Sequence, residues 1–184
     1  IASKDQYQRA LGEGFSSEEA LYFVNKRSRD NSRTPMQWDN SKNAGFSKDE
    51  NSKSWIKLTG SQATTNVADQ INDKDSIFSH YKKMIDLRQN GKYSDCLTFG
   101  DFISVPLENE KFIAYVRKYK NQKVLCISNF SELKQEVKLS EIAKALGEKE
   151  IKIGEILINN FDGFEKDGEK VVFEGFQSLL VEIL

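Results

Sequence analysis

At residue 97 the period of the apolar residues changes, and that change restricts the fold more than any other feature of the chain. Downstream of it apolar side chains recur at every second position, as in strands with one buried face. The pattern predicts strands at 97–105, 111–118, 123–129, 135–139, 155–160, 169–173 and 177–184. Between them stand the turn signals Glu108-Asn109-Glu110, Asn121-Gln122, Asp162-Gly163 and Asp167-Gly168. A short helix at 140–146 interrupts the series and stops at Gly147. Short strands at this spacing imply an antiparallel β-sandwich with just enough chain to close its own core.

Upstream the chain reads as helix and loop. Ser16 and Glu19 have capping-box spacing, which predicts a helix running through Ala20, Leu21, Phe23 and Val24 to about Arg27. Gly12-Glu13-Gly14 reads as a turn ahead of it. From 28 to 65 there is no helical period, only Asn, Ser, Lys and Gly in quantity and one strand candidate, Trp55-Ile56-Lys57-Leu58. A loop of that length is usually functional or flexible. A second helix, capped by Asp75, carries Ile77, Phe78, Tyr81, Met84, Ile85 and Arg88 on one face and ends at Asn90-Gly91. Its Tyr81 face is expected to pack on the sandwich. The Leu21-Phe23-Val24 face has no evident partner, and each large apolar side chain left uncovered forgoes roughly 1.5–3 kcal/mol. The chain also opens at Ile1 without Met, which fits either processing or a piece of something longer.

Composition excludes several function classes. With 38% hydrophobic and 30% charged residues the chain has a globular composition. Its 27 basic and 28 acidic residues nearly cancel, which argues against a general grip on nucleic acid or an anionic membrane. No apolar run approaches the ~20 residues needed to cross a bilayer. Cys96 and Cys126 are too few for a disulfide framework, so a reducing, cytoplasmic setting is expected, with both thiols in strand-like segments acting as small core hydrophobes. The single histidine, His80, supports no triad, and two Cys with one His supply no zinc set. No catalytic, metal or cofactor residues are assigned.

One segment is richer in chemistry. Ser28-Arg29-Asp30-Asn31-Ser32-Arg33-Thr34-Pro35-Met36-Gln37-Trp38-Asp39 packs guanidinium forks, carboxylates, amides and an indole into a stretch with no regular period. Forks and amides suit the hydroxyls of a sugar, and an indole suits its apolar face. By composition alone the plainer reading, a polar loop whose Arg–Asp pairs only hold its own shape, comes first.

Taken together with the residues downstream of it, that segment resembles the α-glucosidase branch of the α-amylase superfamily (glycoside hydrolase family 13), which includes oligo-1,6-glucosidases, dextran glucosidases and trehalose-6-phosphate hydrolases. The block from Ser28 to Ser47 carries the likeness, and the order continues through Trp55-Ile56, Asn66-Val67 and Asp73-Lys74-Asp75-Ser76-Ile77-Phe78. It goes on through Tyr81-Lys82-Lys83-Met84-Ile85-Asp86-Leu87-Arg88, Phe112-Ile113-Ala114-Tyr115-Val116-Arg117 and the stretch 124–130. Two places depart from the family pattern: Ser52-Lys53-Ser54 stands for Gly-x-Pro, and Gly175-Phe176-Gln177-Ser178 for Pro-Tyr/Trp-Glu.

The resemblance implies a mainly β chain: a C-terminal antiparallel β-sandwich, residues 96–184, preceded by the final loop and helices of an incomplete (β/α)8 barrel, residues 1–95. It implies an exo-acting, retaining α-1,6-glucosidase whose three catalytic carboxylates lie outside the matched region, so that this chain is inactive alone. Arg29 is the substrate-binding residue it carries over, reaching the terminal glucose, with Asp30, Arg33, Gln37 and Trp38 supporting the loop. The partners implied are an α-linked glucose oligosaccharide and the missing barrel portion. The alternatives are a trehalose-6-phosphate hydrolase fragment and a non-catalytic sandwich that binds sugar or stabilises a partner.

Overall fold

The computed structural model describes residues 2–184, the side chains of Ala2 and Asn31 excepted. The chain divides into two compact units, one ending at His80 and one running from Tyr81 to Leu184.

The first unit opens with α1 (Ala2–Gly12), which the periodicity of the sequence does not predict. It has no apolar stripe to betray it. Its first turn holds Asp5 and its last Arg9, a charge order that suits the helix dipole. Glu13, Gly14 and Phe15 donate back to the carbonyls of the last turn, and Gly14 takes φ +93 to let the chain reverse. The α2 helix (Ser17–Arg27) starts where the capping box placed it: the Ser16 hydroxyl accepts from the Glu19 amide at 3.3 Å, and Glu19 Oε2 accepts from the Ser16 amide at 2.9 Å. Those bonds to Ser16 hold the Glu19 carboxyl below its usual range. Ala20 and Val24 are buried, whereas Leu21, Tyr22 and Phe23 are exposed and Phe15 meets Phe23 edge to face at 5.3 Å.

Two 3-10 turns, Arg29–Ser32 and Ser61–Ala63, and a short α3 (Val67–Ile71) are the regular elements of the long loop. No strand forms among the described residues around Trp55, whose side chain is 88% exposed. The next helix, α4 (Ile77–Asn90), has the expected span but a different cap. The Ser76 hydroxyl accepts from the Ser79 amide at 3.1 Å, while Asp75 is one residue too early. Its apolar stripe stays exposed; among the described residues α4 has no buried side chain, so the expected packing of the Tyr81 face is not found.

In the second unit α5 (Ser94–Phe99) replaces the start of the first expected strand. Gly100 ends it: a Cβ there would lie 2.4 Å from the Cys96 carbonyl and 2.9 Å from that of Lys118, so only glycine lets the two backbones approach. Strand β1 (Asp101–Ser104) then begins a five-stranded antiparallel sheet of order β1-β2-β3-β8-β5, with β2 Phe112–Tyr119, β3 Gln122–Asn129, β5 Ile153–Asn159 and β8 Ser178–Ile183. A second sheet holds β4 (Gln135–Lys138), β7 (Lys170–Phe173) and an unanticipated β6 (Glu165–Asp167) that folds onto β7 through Gly168 at φ +57. The period-two pattern buries Phe112, Ala114 and Val116 from β2, Leu125 and Ile127 from β3, and Leu179, Val181 and Ile183 from β8. With Phe173, Val137 and the α6 helix (Leu139–Leu146) they form one core. A smaller cluster under α5 unites Tyr93, Cys96 and Val124. Cys96 is thus a buried helical thiol, not a strand one, donating to the Arg117 carbonyl at 3.2 Å, and burial pushes its ionisation up. Among the described residues helix takes 33% and strand 24%, so "mainly β" describes the second unit and not the first. Among the described residues no helix is long and apolar enough to cross a membrane.

Candidate functional site

Ser28 ends α2 and starts the loop that carries the candidate residues. Its backbone turns extended, at φ −66 and ψ 121, and its hydroxyl accepts from the Asp30 amide at 3.3 Å, capping the 3-10 turn. Arg29 is the first residue of that turn. Its carbonyl accepts from the Ser32 hydroxyl at 3.0 Å, which fixes the backbone, while its side chain is exposed. Among the described residues no ion pair engages its guanidinium. Asp30 and Arg33 are joined through their backbones, the Arg33 amide donating to the Asp30 carbonyl at 3.1 Å. The tie that shapes this turn is therefore peptide to peptide, and both charged side chains face solvent.

Gln37 and Trp38 are held more firmly. Gln37 Nε2 lies 3.1 Å from Ser61 Oγ, and the Ser61 hydroxyl lies the same distance from Gln37 Oε1, with Thr59 Oγ1 a further 2.7 Å away. The carbonyls of Gln37 and Trp38 accept from the amides of Val67 and Ala68 at 3.0 and 2.9 Å. These are first-turn donors of α3 that would otherwise lack partners. The Trp38 amide donates to the Ala44 carbonyl at 2.8 Å, closing a tight reversal in which Ala44 is buried at φ 52. Gly45 follows at φ +66, and a Cβ there would sit 2.6 Å from Asp39 Oδ2. The hydroxyl of Ser41, and after it the Ser41 amide, hold the Asp39 carboxyl below its ordinary value. The Trp38 indole stays about half exposed, as does Met36.

The structure therefore brings Gln37 and Trp38 together with 59–68, and sets Arg29, Asp30 and Arg33 on the turn just before them. Sequence reasoning missed the anchors. Asn66 is the central one, 2% exposed: its Oδ1 caps α3 by accepting from the Asp69 amide, and its Nδ2 donates to the Gln62 carbonyl and to Asp69 Oδ2. The Asn66-x-x-Asp69 spacing was a visible capping signal. Ser61 carried none, since its partner lies 24 residues away in the chain.

Comparison with known proteins finds two family matches along the chain, the first of which runs past the structural boundary at His80. Residues 5–96 match the family model described as alpha amylase, catalytic domain, and residues 112–180 match the alpha-amylase SusG C-terminal domain. The chain is 30% identical over 182 residues to an oligo-1,6-glucosidase of Bacillus cereus, a match covering 96% of this chain and 29% of that protein. It is 32% identical to a glucan 1,6-alpha-glucosidase of Streptococcus pneumoniae, covering 100% of this chain and 31% of the relative. Among solved structures the trehalose-6-phosphate hydrolase of Bacillus licheniformis superposes with a TM-score of 0.82 at 30% identity, over 100% of this chain and 31% of the other. The chain thus spans under a third of the length of the relatives it matches.

Proposed function

This chain belongs to the α-amylase family, glycoside hydrolase family 13, and from that premise we propose that it supplies the C-terminal part of a retaining, exo-acting α-glucosidase for α-1,6-linked oligosaccharides. The observation that carries this reading is that curated relatives aligned along nearly all of the chain bear 1,6-glucosidase names. Residues 1–95 are the last part of the catalytic barrel and 96–184 the sandwich; the two family matches, ending at 96 and beginning at 112, support that division. The protein works in the cytoplasm, where free thiols such as Cys96 and Cys126 persist.

Retaining hydrolysis needs two carboxyl groups ~5–5.5 Å apart, one forming the glycosyl-enzyme bond and one serving as acid and then base. In this reading both come from barrel segments outside the chain, which is inactive alone. Arg29 contributes the fork that holds the hydroxyls of the terminal glucose. Its exposed side chain on a backbone pinned by Ser28 and Ser32 supports that role. Asp30 and Arg33 shape the turn, and Gln37 and Trp38 tie it to the start of α3.

The polypeptide encoded by the open reading frame that contains this chain, assayed on isomaltotriose, tests the reading. Turnover is expected, and Arg29→Lys should lower kcat/KM roughly 10- to 100-fold, because an ammonium cannot reproduce the bidentate fork. Unchanged turnover in that variant removes Arg29 from the site. A second reading, hydrolysis of trehalose 6-phosphate, is favoured by the superposition of all of this chain on part of the Bacillus licheniformis enzyme. Turnover confined to that sugar selects it, and turnover of neither overturns both.

A further inference from the structure

Three segments pass between the two sheets at one end of the sandwich: 130–134 from β3 to β4, 160–164 from β5 to β6, and 174–177 from β7 to β8. This is the end of β3 remote from Val124, on which Cys96 of α5 packs. Two buried side-chain amides staple the segments together. Asn129 Nδ2 donates to the carbonyls of Leu133 and Glu174 at 2.8 and 2.9 Å. Gln177 Nε2 donates to Asn159 Oδ1 at 3.1 Å and to the Gly163 carbonyl at 2.8 Å, while its Oε1 accepts from the Glu174 amide at 2.9 Å. The Phe176 peptide is held on both sides: its amide donates to the Ser131 carbonyl at 3.0 Å, and its carbonyl accepts from Asn160 Nδ2 at 2.9 Å.

This fixed frame presents apolar rings to solvent. Phe130, Phe161 and Phe176 are 62%, 41% and 56% exposed. Phe176 takes φ 58, a left-handed conformation that a bulky side chain adopts only under constraint and glycine adopts freely. The pairing of Ser128 with Ser178 continues through the bond from the Asn129 amide to the Gln177 carbonyl, so Phe130 comes opposite Phe176. Among the described residues no ring contact joins the three phenyl groups, which leaves each available to a ligand. Separate rings on a rigid frame suit the apolar C–H faces of successive pyranose units, and a frame already ordered loses little freedom on binding. An anionic ligand suits it poorly: Lys134 is held by Glu165 and Glu174 at 3.0 and 2.9 Å, and Glu132 and Asp162 add negative charge to the same loops. We propose that this end of the sandwich is a carbohydrate site of the second unit's own, where a neutral α-glucan chain stacks on Phe130, Phe161 and Phe176. The choice of α-1,6-linked glucose as occupant rests on the reading given under Proposed function.

Native electrophoresis of this chain through gels containing dextran, an α-1,6-glucan, tests the proposal. The parent should be retarded. Phe176→Gly should raise the dextran concentration needed for the same retardation roughly 10-fold, the equivalent of one lost stacking contact, and Phe130→Ser/Phe161→Ser/Phe176→Gly should abolish it. Because glycine suits φ 58, Phe176→Gly should melt no lower than the parent, which separates a lost ring from a lost fold. A parent that is not retarded, or ring variants retarded as strongly as the parent, overturns the site. Equal retardation by polyvinylpyrrolidone, a neutral polymer without sugar, makes the rings a general apolar patch and overturns it too. Side-chain footprinting extends the test to the polypeptide encoded by the whole open reading frame. There the three rings should label without sugar and lose about 10-fold of their labelling in dextran. Rings already protected without sugar are covered by the rest of that polypeptide, and the proposal falls. Dextran retardation that needs the rings, in a polypeptide that does not hydrolyse isomaltotriose, leaves the site standing and counts against the glucosidase reading instead.

Discussion

Up to His80 the buried apolar side chains among the described residues are Ala20, Val24 and Ala44, all small, and the other well-buried groups are the polar Asn66 and Ser76. Beyond it, Phe112, Phe173, Leu125, Ile127 and Val181 close a core between two sheets and a helix. The first unit is shaped by caps and peptide hydrogen bonds, the second by burial. Hydrogen bonds exchange one polar partner for another and each adds only ~0.5–1.5 kcal/mol net. Burial of a large side chain contributes ~1.5–3 kcal/mol. A region built on the first kind of interaction can hold a loop in a definite shape, but with Leu21, Tyr22, Phe23 and Trp55 exposed it gains little stability from burial.

The widest test of that contrast is amide exchange. In the chain alone, amides of Leu125, Ile127 and Val181 should exchange only through global opening, set by a stability of roughly 5–15 kcal/mol. Amides from Ala20 to Ser76 should exchange through local opening, at least ~100-fold faster. Uniformly slow exchange across both units would dissolve the comparison.

Phe173→Ala comes next. The ring is 1% exposed and meets Phe112 edge to face at 5.1 Å, so its loss should cost about 3–5 kcal/mol in a urea melt followed by circular dichroism. Both tryptophans, Trp38 and Trp55, lie in the first unit, so indole fluorescence reports that unit alone. Its transition should not move with the core mutation; a coincident shift would mean the units unfold as one.

Asn66→Ala probes the other side. It removes the cap of α3 and two further donor contacts, for about 1–2 kcal/mol, and it should loosen the Gln37 and Trp38 carbonyls that the start of α3 engages. A changed Trp38 emission with an unchanged sheet melt is the expected outcome. A sheet melt that moves with it would join the two units.

A last effect is a pH dependence confined to the second unit, outside the neutral range. Burial raises Tyr115 from 10.0 to about 12, so the unfolded chain releases this proton first. The stabilisation is complete below pH 10 and is lost as pH rises toward about 12. The difference in stability between the parent and Tyr115→Phe should shrink across that interval. A difference independent of pH would show that Tyr115 titrates normally.

What was legible in advance was local. The Ser16–Glu19 box, the stop at Gly147 and the alternation that buries Ala114, Val116, Val181 and Ile183 depend on residues a few positions apart or on a repeating face, so the sequence states them directly. The segment from Ser28 to Ser47 was legible as a family signature, and its neighbourhood was not. Gln37 finds Ser61 across 24 residues, and Gly175-Phe176-Gln177 illustrates the same limit. Gln177 departs from the family pattern, yet in the fold it is buried, donating to Asn159 and to the Gly163 carbonyl and accepting from the Glu174 amide.

By itself, then, the sequence determined the capped helix α2, the two-faced strands of the sandwich and membership of the α-amylase family, because capping, alternation and motif are written in short-range spacing. Only the tertiary structure decided that 97–99 is helix, that Ser76 and not Asp75 caps α4, and that α1 exists without an apolar stripe. It alone also decided which side chains anchor Gln37 and Trp38 and which guanidiniums remain unpaired. Those outcomes turn on which backbones and polar groups meet after the chain has reversed, as at Gly100 against the Lys118 carbonyl, and no local pattern encodes a meeting of that kind.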